Sequence, residues 1–155
     1  MTRTLNSTGY DDQRAEFVYL YELEYSGGTL YLTNANHDII YSGNTYAATG
    51  GRLLHESASE ANDRNGQSVE LHLYGVDQAI IATVLTNNFR GRSARILLVH
   101  FDPDTGAMQT PDVIWRGRQM GDYQIAEGRD AGEGGPATVE VTTTIASSLA
   151  VLRVK

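Results

Sequence analysis

The segment EFVYLYELEY, residues 16–25, constrains the fold more than any other stretch of the chain. Phe17, Tyr19, Tyr21, Leu23 and Tyr25 fall on one face of an extended backbone, and Val18, Leu20, Glu22 and Glu24 on the other. This two-residue period, carried by aromatic and β-branched side chains, predicts a strand. Its first half is apolar on both faces, so cover is expected on both sides there. Ser26-Gly27-Gly28 reads as a turn, and residues 29–33 as the returning strand of a hairpin.

The rest of the chain repeats the pattern. After a polar turn at 34–38, IIYSGNTYAA reads as a second small hairpin, with Gly43 or Asn44 taking the positive φ of its turn. Residues 68–74 alternate Val69, Leu71 and Leu73 against Glu70, His72 and Tyr74. ARILLVHF at 94–101 is a core strand, and residues 102–106 turn into a partner strand at 113–118 that continues through Tyr123, Gln124 and Ile125. Residues 138–145 alternate again, with Val139 and Val141 opposite Thr138, Glu140 and Thr142. Only residues 76–85 change period: Val76, Ile80 and Val84 form a helical stripe flanked by Ile81 and Leu85.

The expectation is a mainly β fold, an antiparallel β-barrel or sandwich of hairpins with one short inserted helix. Residues 1–15 read as a flexible N-terminal arm and 16–155 as a single domain, which suits a chain of 155 residues. Residues 50–67 are a polar loop, long enough to be either functional or disordered. Residues 127–135 are an acidic, glycine-rich turn, and 147–154 either a helical turn or a last strand.

Composition removes several functions. There is no cysteine, hence no disulfide framework, thiolate metal site or thiol nucleophile. A net charge of −7 and a pI near 4.9, with the single lysine Lys155, argue against nucleic-acid binding. The basic clusters are Arg90 with Arg92 and Arg116 with Arg118. The N-terminus lacks an apolar run, and nothing approaches the roughly 20 apolar residues of a membrane span, so a soluble cytoplasmic product is expected.

No residue set makes a catalytic, cofactor-binding or metal site. His37 and His55 fall in turns and His72 and His100 in strands, without helical zinc spacing. Asp102-Pro103-Asp104-Thr105-Gly106 resembles a calcium loop only superficially, because Ala107, Met108 and Gln109 follow where ligands are needed. Glu22 and Glu24 read as a solvated edge face rather than a glycosidase pair. Glu127, Asp130 and Glu133 lie in the glycine-rich turn. Nucleophile elbows, dinucleotide fingerprints and Walker loops are missing. Tyr19, Tyr21 and Tyr25 share one face and are either core or an exposed platform. Trp115, beside Val113, reads as a core anchor.

The order of these segments resembles a known family. EFVYLYELEY is followed by Asp38-Ile39, Gly43, Tyr46 and Ala48, in the spacing D-I-x-x-x-G-x-x-Y-x-A. Then come the alternating strand 68–74, the segment 91–98, the run Trp115-Arg116-Gly117-Arg118, and IASSLAVLRVK. From Glu16 onward this is similar to the tail-tip hub and minor tail proteins of long-tailed phages and gene transfer agents, of the lambda minor tail protein L type. Larger members continue into a cysteine-bearing domain with an iron–sulfur cluster; this chain has no cysteine, so no cofactor is carried over. The resemblance implies a non-enzymatic virion component of the tail tip, assembled in the host cytoplasm. It implies a homo-oligomer, trimer or hexamer, joining the tail tube or distal tail ring to a central spike or fibre protein. Residues 1–15, 50–67 and 127–135 are the expected partner contacts. The competing expectations are a free carbohydrate- or receptor-binding β module and a small hydrolase.

Overall fold

The computed structural model describes residues 17–56, 68–75, 78–121, 123–128 and 138–147. In chain order the elements are β1 Phe17–Tyr25, β2 Gly28–Thr33, β3 Ile39–Tyr41, β4 Asn44–Ala48, β5 Leu53–His55, β6 Ser68–Tyr74, α1 Gln78–Thr86, β7 Ser93–His100, β8 Asp112–Gln119, β9 Gln124–Gly128 and β10 Thr138–Ser147. They form one ten-stranded sheet in the order β3-β4-β2-β1-β7-β8-β10-β6-β5, with β9 also paired to β10.

Alternation explains how the sheet folds over on itself. Tyr21 and Leu23 of β1, Leu32 of β2 and Ala94 and Ile96 of β7 point inward. They meet Leu53 of β5, Val69, Leu71 and Leu73 of β6 and Val141 and Ile145 of β10. The two halves of the sheet therefore pack through the same face, and the fold is sandwich-like and open rather than a closed barrel. A void of about 10 Å3 beside Leu23, Leu53 and Val141 is at the lower limit for one water.

The outer face of β1 and β7 carries a second cluster. Leu20, Leu97 and Val99 are covered there by Ile39 and Tyr46 of the β3–β4 hairpin. The expected two-sided burial of β1 is thus present. The hairpin turns through Ser42 and Gly43, at φ 51° and 80°. Positive φ at both central residues matches the twist of the flanking strands; Asn44, expected as a candidate, instead begins β4. Thr49 and Gly50 donate backbone bonds to the carbonyls of Thr33 and Ala35, at 2.9 Å each, and hold this corner.

Several expectations need correction. The sheet is not wholly antiparallel, because β4 runs parallel to β2 through Leu32↔Ala47 and Thr33↔Ala48. The polar region 50–67 contains β5, whose three residues are too few to show a period. Residues 57–67 of that region lie outside the described residues, as do the N-terminal arm, 129–137 and 148–155. Glu127 and Gly128 belong to β9 and Ser147 to β10. The helix begins at Gln78, with Val76 and Asp77 outside the described residues. Its stripe is narrower than expected: Ile80 and Val84 reach the core, whereas Leu85 is 68% exposed. Among the described residues no helix is long and apolar enough to cross a membrane.

Candidate functional site

The charged row on the outer face of β2, β1, β7 and β8 is the most developed polar feature. Strand register aligns Tyr31, Glu22, Arg95 and Arg116 side by side. Glu22 had been expected on a solvated edge. It is instead buried, because β1 has a neighbour on each side and Tyr46 lies over it. The Tyr46 hydroxyl donates to Glu22 Oε1 at 2.6 Å. Arg95 Nε donates to Oε2 at 2.6 Å, and Arg95 Nη2 bonds the same oxygen. Both carboxylate oxygens are thus engaged, as a buried charge requires. Glu24, one pleat along, is exposed and accepts a backbone bond from Ser93 at 3.3 Å. A shallow concavity of about 350 Å3 lies over Glu22, Glu24, Tyr31, Ser93 and Arg116.

His55 lies at the end of β5 rather than in a turn. Its Nδ1 is 2.8 Å from the Tyr21 hydroxyl, and its ring meets Tyr19 edge-on at 4.5 Å. Burial, followed by the nearby Tyr19, pushes the Tyr21 hydroxyl well above the ordinary tyrosine value, so it stays protonated and donates. His55 Nδ1 accepts, and burial lowers the imidazole below its ordinary value of 6.5. Between that lowered value and 6.5 the unfolded chain binds a proton that the folded chain does not. The contribution to stability is complete above 6.5 and is lost as pH falls through this window. We expect His55→Gln to shrink the loss of thermal stability between about pH 7.5 and about pH 5. Identical losses in variant and parent would reject this assignment.

The outer face of the other half is acidic. His72 Nδ1 lies 2.8 Å from Glu140 Oε1, while Nε2 is 3.9 Å from Glu56 and 4.0 Å from Glu70. Tyr74 stacks on the His72 ring with centroids 6.1 Å apart. His100 is buried against Phe17; His37 is exposed in the bend before β3. The structure does not bring the four histidines together, and among the described residues no cluster of metal-binding side chains occurs. Asp102 Oδ1 accepts the amides of Asp104 and Thr105 at 2.9 and 2.8 Å, the work of a turn residue.

The tyrosine row belongs to the core. Tyr21 is fully buried, and Tyr19 and Tyr25 pack against the inner cluster, as does Trp115. Two inner-face residues carry no sequence signal. Phe89 sits between the Tyr25 and Tyr123 rings at 5.2 and 4.6 Å. Gln119 is fully buried, donates to the carbonyls of Glu24 and Ser93, and accepts from the Tyr123 hydroxyl at 2.8 Å. An apolar-polar pattern cannot identify a buried glutamine whose partners are backbone groups from other strands.

Fold and site together define a mainly β, sandwich-like fold in which Glu22, His55 and Gln119 are hydrogen-bonded into the scaffold. No family model matches the chain, and no curated protein matches it.

Proposed function

We propose that this chain is a structural virion component of a phage or phage-like tail tip, joining the tail tube or distal tail ring to a central spike or fibre protein. The observation that carries the reading is the order and spacing of the segments from Glu16 onward. Its support lies in where the shared positions fall. Ile39 and Tyr46 fasten the β3–β4 hairpin onto the outer face of β1 and β7. Gly117 sits where the β10 backbone leaves no room for a side chain. These are positions on which the sheet depends, so their spacing has a physical basis.

The open sheet supplies a means of assembly. β3 and β5 end the strand path, and each exposes an apolar side chain, Ile40 at 71% and Leu54 at 52%. Edge strands with unpaired backbone groups suit strand addition from a neighbour. The chain acts here by binding and positioning rather than by catalysis. The test is the mass of the purified chain in solution, alone and mixed with tail-tube protein from the same source. A ring, a trimer or a stable mixed complex is expected. A strict monomer that ignores tube protein would overturn the reading, and a glycan screen would follow.

A further inference from the structure

The two outer faces of the folded-over sheet carry opposite charge. On the β7–β8 face, Arg95 and Arg116 are cross-strand neighbours and Arg118 lies one pleat further along. Arg118 Nη1 reaches the carbonyl of Gly91 at 2.8 Å, between the exposed Arg90 and Arg92. Among the described residues, Glu22, already engaged by Arg95 and Tyr46, and Glu24 stand against these five arginines. Like charges directly opposite across a strand pair are unfavourable, and among the described residues no carboxylate pairs with Arg116. On the β5–β6–β10 face, Glu56, Glu70 and Glu140 surround one imidazole. The side chains of Glu56 and Glu70 are 71% and 45% exposed. Because the halves pack through their inner faces, these two surfaces look away from one another on opposite sides of the domain.

We infer that the arginine face of β7–β8 docks onto the glutamate face of β5–β6–β10 of a second copy of this chain, head to tail. A contact between two different patches of one molecule repeats, and it closes into a ring or extends as a stack. The complementarity of sign is what selects a second copy: each patch offers what the other lacks, on a chain whose net charge of −7 would otherwise drive copies apart. The inference rests on the reading of this chain as an assembling subunit, and it names the surfaces used.

The experiment is a charge swap followed by sedimentation velocity at low salt. Arg116→Glu with Arg118→Glu makes both faces acidic; Glu56→Arg with Glu70→Arg makes both basic. Each variant alone should sediment as one chain, whereas an equimolar mixture should assemble by alternation. The parent chain should associate at least about tenfold more weakly as salt rises from about 50 to about 500 mM, because the screening length of exposed charges falls from about 14 to about 4 Å over that range. Assembly of the mixture also excludes misfolding as the reason either variant is monomeric. A parent that stays monomeric at low salt overturns the inference, and so does a parent whose assembly survives in each variant alone. A monomeric parent that binds tail-tube protein would remove the inference and leave the tail reading intact. A parent that forms a ring or trimer persisting in each variant alone would likewise remove the inference and leave the tail reading intact.

Discussion

Replacing Gly117 by alanine is expected to cost more than about 3 kcal/mol, a large share of the roughly 5–15 kcal/mol by which a domain of ordinary stability is held folded. A Cβ placed there lies 2.0 Å from the carbonyl oxygen of Ala146 and 3.0 Å from Ile145 Cγ2. The oxygen belongs to the β10 backbone, so no rotamer relieves the clash; β8 and β10 would have to separate. Among the described residues these strands pair over Ile145↔Gln119 to Ser147↔Gly117, and that ladder joins the two halves of the sheet. Gly121→Ala is the control. It lies just beyond β8 with nothing within 4 Å of its Cβ, and should change stability by no more than about 0.5 kcal/mol. Urea unfolding of both variants decides the matter. A Gly117→Ala midpoint close to the parent's would mean that the strands do not approach in this way.

Tyr46→Ala is expected to cost about 3–5 kcal/mol, the range for deleting a fully buried aromatic side chain. Tyr46 is completely enclosed, with its ring edge-on to Tyr31 at 5.1 Å and its hydroxyl on Glu22. Tyr46→Phe keeps the ring and removes one hydrogen bond, leaving Glu22 with Arg95; about 1–2 kcal/mol is expected. The separation between the two variants is the prediction. If alanine and phenylalanine cost the same, the packing of the hairpin on β1 and β7 contributes little. Amide exchange adds a spatial check, since β3 and β4 should lose protection in the alanine variant before the β6–β10 ladder does.

The sequence disclosed the strands whose alternation runs long enough to be read, β1, β6 and β10, β7 as an apolar run, and α1 through its change of period. Two-sided burial of β1 followed from Val18 and Leu20 facing away from Tyr19 and Tyr21. What escaped was determined between distant segments. β5 has three residues, and its strand character comes from pairing Leu53 with Leu73 and His55 with Leu71. The parallel register of β4 on β2 depends on the corner where Thr49 and Gly50 bond back to Thr33 and Ala35. Glu22 looked solvated because its two covers, Tyr46 and Arg95, are remote in sequence. The inward placement of Tyr21 could not be separated from an exposed platform by pattern alone, since a strand's two faces are equivalent until the sheet folds over.

The pairing of β1 has a consequence for how the protein comes into being. Its first neighbour, β2, follows after a turn of two residues, but its second, β7, matches Phe17 with His100 across much of the chain. The same holds for β6, which waits for β10 to match Ser68 with Ala146. Folds dominated by such distant pairings form on the millisecond-to-second scale. During synthesis the β1–β2 hairpin emerges long before β7 exists, with Val18, Leu20 and Tyr21 unshielded. A nascent chain in that condition is vulnerable to sticking to its neighbours. The burial of β1 on both faces, which anchors the finished domain, is therefore also its greatest exposure while it is being made.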